Sequence, residues 1–565
     1  LSLMPTSVFA TGGTGGFMEI TSGYYLSTVG SNAFNVFMYD NTLSGVFGDQ
    51  HMAGIEMVLN GLRIATDGDL HLSPAWGQWD LTPAPSRGTK VYDTETNTIT
   101  VPMTFRGSPS GTLQYDLVAS PTENGVRISM ILRTDMPDGL AGKARFSMAL
   151  LPSAYEGKTF MLDPYGIGVY TEFGLFPEVS TAEMAESERV DLPSQSWYVQ
   201  EWNEDRGDAQ PLPFAVGKRL NIAPDDKSIH FSVSAEAGGT LELYDGRAIA
   251  QDGWYVLSTP ITATRSGEVA AQWNIVPDVE DGWVCDPVIS YSQVGYSPNQ
   301  QKFAVIQLDK WDNNYASTAS LWRVDASGRE TKVSEKPLGT LTNWMRYKFA
   351  RYDFSEIEEV GLYRIHYGSY ASDVFPISTE VYDEVWQSTL SGWLAVQMDH
   401  IAVRENDTYW HGAAHMDDAY LTPAGSDWYA GKSGWFDGMN VGTIPASVTE
   451  RGFSANQHVD GLNKGGWVDA GDNDVQMSRN FTVLRQLIEA AEYCNNMDGY
   501  DDLTVVWDQE TGGLVEMHRP DGIPDIIQQI VHGSMQMVAQ YEVLGGTGGT
   551  LETRSLREYT HTGDM

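Results

Sequence analysis

The chain has 565 residues, a length that suits two to four modules rather than one core. Its 35 Lys and Arg stand against 75 Asp and Glu, a net charge of −40, which argues against nucleic acid and anionic membranes as partners, because both bind through cationic groups. With 41% apolar and 11% aromatic residues it is too hydrophobic for a disordered acidic chain.

The first ten residues, LSLMPTSVFA, resemble the back half of a secretory signal: an apolar stub, Pro5, then small residues around Val8-Phe9-Ala10. The basic leader is missing, so the chain is expected to begin inside its signal and the protein to be secreted, extracellular or periplasmic. No run of 18 apolar residues predicts a membrane span. Two cysteines, Cys285 and Cys494, permit at most one disulfide and no four-cysteine metal site.

From about 15 to 282 apolar residues alternate, the period of half-buried strands. Ile99, Val101, Met103 and Phe105 form one run; Leu113, Tyr115, Leu117 and Ala119 another; Val126, Ile128, Met130 and Leu132 a third. Evenly spaced strands separated by Gly, Asn, Asp and Pro predict a β-sandwich of two large sheets, with no catalytic constellation. Residues 286–378 predict a second, smaller sandwich of immunoglobulin-like size, opening at Pro287-Val288-Ile289 and closing near Gly361–Tyr367. After Phe375-Pro376-Ile377 the period becomes helical. Ser378 or Thr379 can cap a helix through Val381, Val385, Leu390 and Leu394. A second helix carries Phe481, Leu484, Ile488 and Ala491, and a third, from Pro524, aligns Ile523, Ile527, Ile530, Met537 and Tyr541 on one side. The intervening stretch 399–479, rich in Gly, Asp, His and Trp, is too long for an idle loop.

Inside that stretch lies Gly465-Gly466-Trp467-Val468-Asp469-Ala470-Gly471-Asp472. Two carboxylates separated only by Ala and Gly can point into one cleft, and paired carboxylates are what glycosidic hydrolysis needs. A solvated acidic turn or a calcium loop has the same spacing. Asp498, Asp501 and Asp502, or the Asp417-Asp418 pair, likewise offer hard oxygen ligands to a structural calcium, the alternative being a solvated charge run. Gly545–Gly549 lacks the strand and lysine of a phosphate loop and reads as a flexible connection between helices.

Four segments in order resemble glycoside hydrolase family 9, the inverting cellulases and related exo-glycosidases. GGWVDAGD is similar to the family's GGW-x-DAGD signature. Ser292-Gln293-Val294-Gly295-Tyr296-Ser297-Pro298 resembles the opening of its immunoglobulin-like module, NQVGY-x-P. His411–Ala419 resembles HPACH-x-DDA, and Asp521–Ile527 resembles the NGIPDLL start of a barrel helix. The resemblance covers about 286–565. It implies that 379–565 is the first part of an all-α (α/α)6 catalytic barrel following two all-β modules, with Asp472 as general base and Asp469 orienting the attacking water. Trp467, His415, Asp418 and Trp435 are the expected substrate contacts. For Trp467, as for Trp410, Trp428, Tyr429 and Trp435, a core role and stacking on a pyranose ring both remain open.

The departures are specific. Asn473-Asp474 follows the signature where the family carries other residues, which puts the contacts beyond the base in doubt. Family members with this module can hold a structural zinc bound partly by cysteines; the matching positions here are Asp399 and Ala414, so a cysteine-ligated zinc is not expected. Gln529 stands where the family usually has Glu. The family's general acid is a Glu near the end of the barrel, and 379–565 is too short for twelve helices, so the acid is expected beyond residue 565. The expected activity is inverting cleavage of β-1,4-glucan, with no cofactor required and a polysaccharide or oligosaccharide as partner. The alternatives are an exo-acting β-glucosidase or glucosaminidase, and a non-catalytic carbohydrate-binding protein with a degenerate barrel.

Overall fold

The computed structural model describes residues 17–21, 25–40, 54–72, 86–107, 111–178, 199–203, 208–211, 213–236, 239–248, 254–383, 385, 394–416, 419–420, 458–468, 475–493, 505–506, 513–546 and 550–551. The alternating region forms two antiparallel sheets. One has nine strands in the order Met18–Thr21, Tyr25–Thr28, Phe34–Met38, Ile55–Leu59, Leu62–Leu72, Ala144–Leu150, Tyr255–Pro260, Leu241–Asp245 and Ala215–Gly217. The other, of ten strands, runs from Glu172–Leu175 at one edge through Val269–Pro277 and Val126–Leu132 to Thr98–Gly107 and Ser86–Arg87. Their inner faces share one core. Ile99, Val101, Met103 and Phe105 all point into it, as alternation requires. Trp273 sits edge-on to Phe146 at 4.7 Å between centroids and donates its indole N–H to Thr259 Oγ1 at 2.8 Å, so its one polar atom is satisfied in the interior.

The second sandwich pairs a four-stranded sheet, Val288–Ser290 to Tyr347–Asp353 and Thr342–Trp344, with a five-stranded one built on Thr318–Val324 and Gly361–Tyr367. Tyr296 locks its first turn: the hydroxyl accepts from Ser292 N (2.9 Å) and donates to Phe303 O (3.0 Å). Gly295, at φ 110°, passes so close to the Pro376 carbonyl that a Cβ would collide with it.

Strands Tyr25–Thr28, Phe34–Met38 and Ile55–Leu59 are buried on both faces. Their inner residues join the large core, while Tyr25, Phe37, Tyr39 and Val58 pack with Met345 of the second sandwich. Asn32, fully buried, closes this junction by donating to Asp309 Oδ1 (3.0 Å) and Arg346 O (2.8 Å) while accepting from Tyr25 Oη (3.2 Å). An amide suits the position because it donates and accepts at once.

Helices are few. A single turn, α1 (Pro152–Tyr155), lies in the first sandwich; α2 (Met477–Tyr493) and α3 (Asp525–Leu544) pack on one another beyond the second. Ser378 Oγ accepts from Glu380 N, but the described residues that follow, 379–383, form turns where a capped helix was expected. Of the expected helix, Leu390 lies outside the described residues, Val381 and Val385 lie in turns, and Leu394 precedes a 3-10 turn, Ala395–Gln397. The described part of 379–565 carries short strands beside α2 and α3, among them Ala402–Glu405, Thr408–His411 and Leu514–Glu516 in one small sheet, where an all-α segment was expected.

The faces of α2 and α3 differ from expectation. Leu484 is buried, but Phe481 and Ile488 are exposed. On α3 the buried face carries Gln528, Gln529, His532, Gln536 and Gln540, whereas Ile527, Val531, Val538 and Tyr541 face outward, Tyr541 at 68%. Apolar periodicity identifies a helix but not which face its neighbours cover, and here the covered face is largely polar. Ile523, expected on the same side, is also exposed.

Asn32→Ala removes donors from Asp309 and the Arg346 carbonyl and is expected to cost about 1–3 kcal/mol. Scanning calorimetry is expected to show the two sandwiches, coupled in the parent, melting as separate transitions.

Candidate functional site

The segment Gly465-Gly466-Trp467 is held from three directions. From the chain at 397–400, Asp399 N donates to Gly466 O (2.8 Å), His400 Nδ1 donates to Gly465 O (2.8 Å), and Gln397 O accepts from Val468 N (2.8 Å). From α3, His532 Nε2 donates to Gly466 O (2.7 Å) and Gln529 Oε1 accepts the Trp467 indole N–H (2.8 Å). From α2, Asn480 bonds both backbone groups of Trp467. Glycine is obligatory for this packing. Gly465 and Gly466 have φ of 62° and 88°, and a Cβ on either would run into His532 O or the Gln536 amide. Gly533 in turn leaves room for the Trp467 ring.

Trp467 is therefore a core side chain. At 3% exposure, edge-on to His532, it has no face free for a sugar, which corrects its expected role as a substrate contact. The identity of Gln529 acquires a reason as well: its amide takes the indole proton and donates to Met398 Sδ at 3.2 Å. His415, also expected to contact substrate, is turned instead toward Asp399 Oδ2, at 2.8 Å from Nδ1. Trp410 is 57% exposed on the strand Thr408–His411, the one expected aromatic contact that the described residues leave accessible. Asp469, Asp472, Asp418, Trp428, Tyr429 and Trp435 lie outside the described residues, as do Cys494 and the acidic groups at 417–418 and 498–502.

Sequence reasoning named Asp399 and His415 separately but missed His400 and the cluster that the three form. Asp399, His400 and His415 each bring one ligand atom within 4.8 Å of the others. Each imidazole meets its acceptor, the Gly465 carbonyl or the Asp399 carboxylate, through Nδ1, so Nδ1 carries a proton in both. Burial raises the Asp399 carboxyl, but His400 and His415 together hold it below the ordinary carboxylate range. Asp399 Oδ1 has no hydrogen-bond partner among the described residues. Burial pushes the neighbouring His532 down to about 4, against the pull of its bond to Gly466 O, so it is a neutral donor near pH 7. The adjacent Asp399-His400 with a third ligand at His415 was the available signal; the buried Gln and His residues every fourth position along α3 were the other.

Residues 285–372 match the family of cellulase N-terminal ig-like domains. No curated protein matches the chain. Among solved structures it is similar to a metagenome-derived glycoside hydrolase family 9 endoglucanase (21% identity, TM-score 0.31, covering 45% of this chain and 40% of that one). A family 9 glycoside hydrolase from Bacteroides ovatus gives 16%, 0.31, 45% and 39% in the same terms. A thermostable endoglucanase from Alicyclobacillus acidocaldarius gives 18%, 0.28, 45% and 37%. The chain thus spans about two-fifths of the length of these structures.

Gly533→Ala forces a methyl against the Trp467 ring and is expected to lower stability by about 1–3 kcal/mol, as overpacking does. Ser534→Ala beside it is expected to change stability by less than about 0.5 kcal/mol in the same thermal melt.

Proposed function

We propose that the protein is a glycoside hydrolase acting on β-1,4-linked glucan or its oligosaccharides by inversion, secreted from the cell. Asp472 serves as general base and Asp469 orients the water. The observation that carries this reading is the bracing of Gly465-Gly466-Trp467 from 397–400, α2 and α3, directly before the two carboxylates in sequence. A base that must hold one water in line with a glycosidic carbon needs such a fixed support. The cellulase-type immunoglobulin-like domain at 285–372 supports the same substrate class. No Glu of this chain is assigned as the general acid. Cellotetraose hydrolysis followed by NMR is expected to release the α-anomer first, and Asp472→Asn to lower the rate by about 10²–10⁴-fold. A β-anomer product, or an Asp472→Asn variant as active as the parent, would refute this assignment.

Asp399, His400 and His415 are proposed to hold a divalent cation in a structural role. One carboxylate and two imidazoles suit zinc without a thiolate, and the carboxylate atom short of a partner fits a ligand position. A bound ion would tie 399–400 to 415 in front of Gly465. Added zinc is expected to raise the melting temperature of chelator-treated protein, in proportion to the logarithm of its concentration, and to do nothing for Asp399→Ala.

A further inference from the structure

Asn480 is the second buried residue of α2, after Met477, and it is only 3% exposed. An amide buried in the first turn of a helix is costly unless each of its polar atoms finds a partner. Here all of them do, and every partner is main chain. Oδ1 accepts from Trp467 N at 2.8 Å; Nδ2 donates to Trp467 O at 2.9 Å and to Gln476 O at 3.1 Å. Trp467 and Gln476 are the two stems of one stretch of sequence, and between them stand Asp469 and Asp472. One side chain therefore ties the beginning of that stretch to its end.

We propose that Asn480 is a positioning residue: a clamp that fixes the separation and orientation of the two stems and, through them, the carboxylates at 469 and 472. The inference rests on the assignment of those carboxylates to inverting hydrolysis. No other side chain type replaces it in place. Aspartate has the same shape but cannot donate when ionised, so it keeps the bond from Trp467 N and abandons the carbonyls of Trp467 and Gln476; alanine abandons all three. Releasing the stems enlarges the set of conformations the intervening residues sample, and a displacement of about 1 Å at a reacting group is enough for a rate loss of about 10²-fold. Substrate contacts made elsewhere are untouched, so the loss falls on kcat and not on KM.

The test compares Asn480→Asp, Asn480→Ala and Leu484→Ala in the full-length protein with cellotetraose as substrate, alongside Asp472→Asn. Leu484 is buried one turn along the same helix, in the apolar cluster that includes Trp467, and makes no hydrogen bond to either stem, so its truncation separates lost packing from lost hydrogen bonding. The expected result is a fall in kcat of at least about tenfold for both Asn480 variants, KM within about threefold, and a shifted acid limb in the pH profile of kcat/KM, which reports the base. Leu484→Ala, with an equal or larger drop in melting temperature, is expected to keep the parent kcat and pH profile below that temperature. Should Asn480→Ala fail to fold, the isosteric Asn480→Asp carries the comparison. Parent-like kcat in a folded Asn480 variant, or an equal loss in Leu484→Ala, would overturn the clamp. Full activity in Asp472→Asn would instead remove the base assignment beneath it, an outcome read from a different variant and so separable from failure of the clamp itself.

Discussion

Everything beyond the second sandwich depends on how closely α3 approaches the Gly465-Gly466-Trp467 segment. At that distance no side chain can stand at 465, 466 or 533, and the Trp467 ring fills the space that Gly533 leaves open. Two glycines with positive φ cost backbone entropy in the unfolded chain. The contact offsets this by burying a large ring and by saturating the Gly466 carbonyl with two donors, Asp399 N and His532 Nε2. Packing this tight leaves few alternative arrangements.

The polar character of the α3 interior follows from the same approach. A backbone segment without regular secondary structure brings carbonyls and amides into the interior, and each must be answered by a side chain. Gln529, His532 and Asn480 answer those of the signature segment and its indole. His532 serves because burial keeps it neutral, with one nitrogen donating. The apolar residues are consequently left on the outward face, where Ile527, Val531, Val538 and Tyr541 form a stripe along the helix. A stripe of this kind is a surface suited to further packing.

The two sandwiches meet through a different balance. The first three strands of the nine-stranded sheet that bury both faces do so because the second sandwich covers their outer side. Aromatic residues supply the area, and the Asn32 amide supplies direction, since its bonds to Asp309 and Arg346 are made in only one relative placement. Tyr25, Phe37 and Tyr39 stack in sequence on the first sandwich's side of the junction, with centroids 4.7 and 6.1 Å apart, and Met345 of the second packs with them. Hydrophobic contact thus sets how much surface is covered, and the hydrogen bonds set the register.

Much of the β architecture was legible in the sequence, because alternation is a local property: Ile99, Val101, Met103 and Phe105 declare a strand and its inner face within seven residues. The signature glycines and carboxylates were likewise visible as a motif, along with the tyrosine that locks the second sandwich. The role of Trp467, the outward apolar face of α3, the Asp399–His400–His415 cluster and the grip of Asn480 on both stems were decided only by tertiary structure. Each depends on which distant segment lies against a residue, and neither the period of a helix nor the spacing of a motif carries that information.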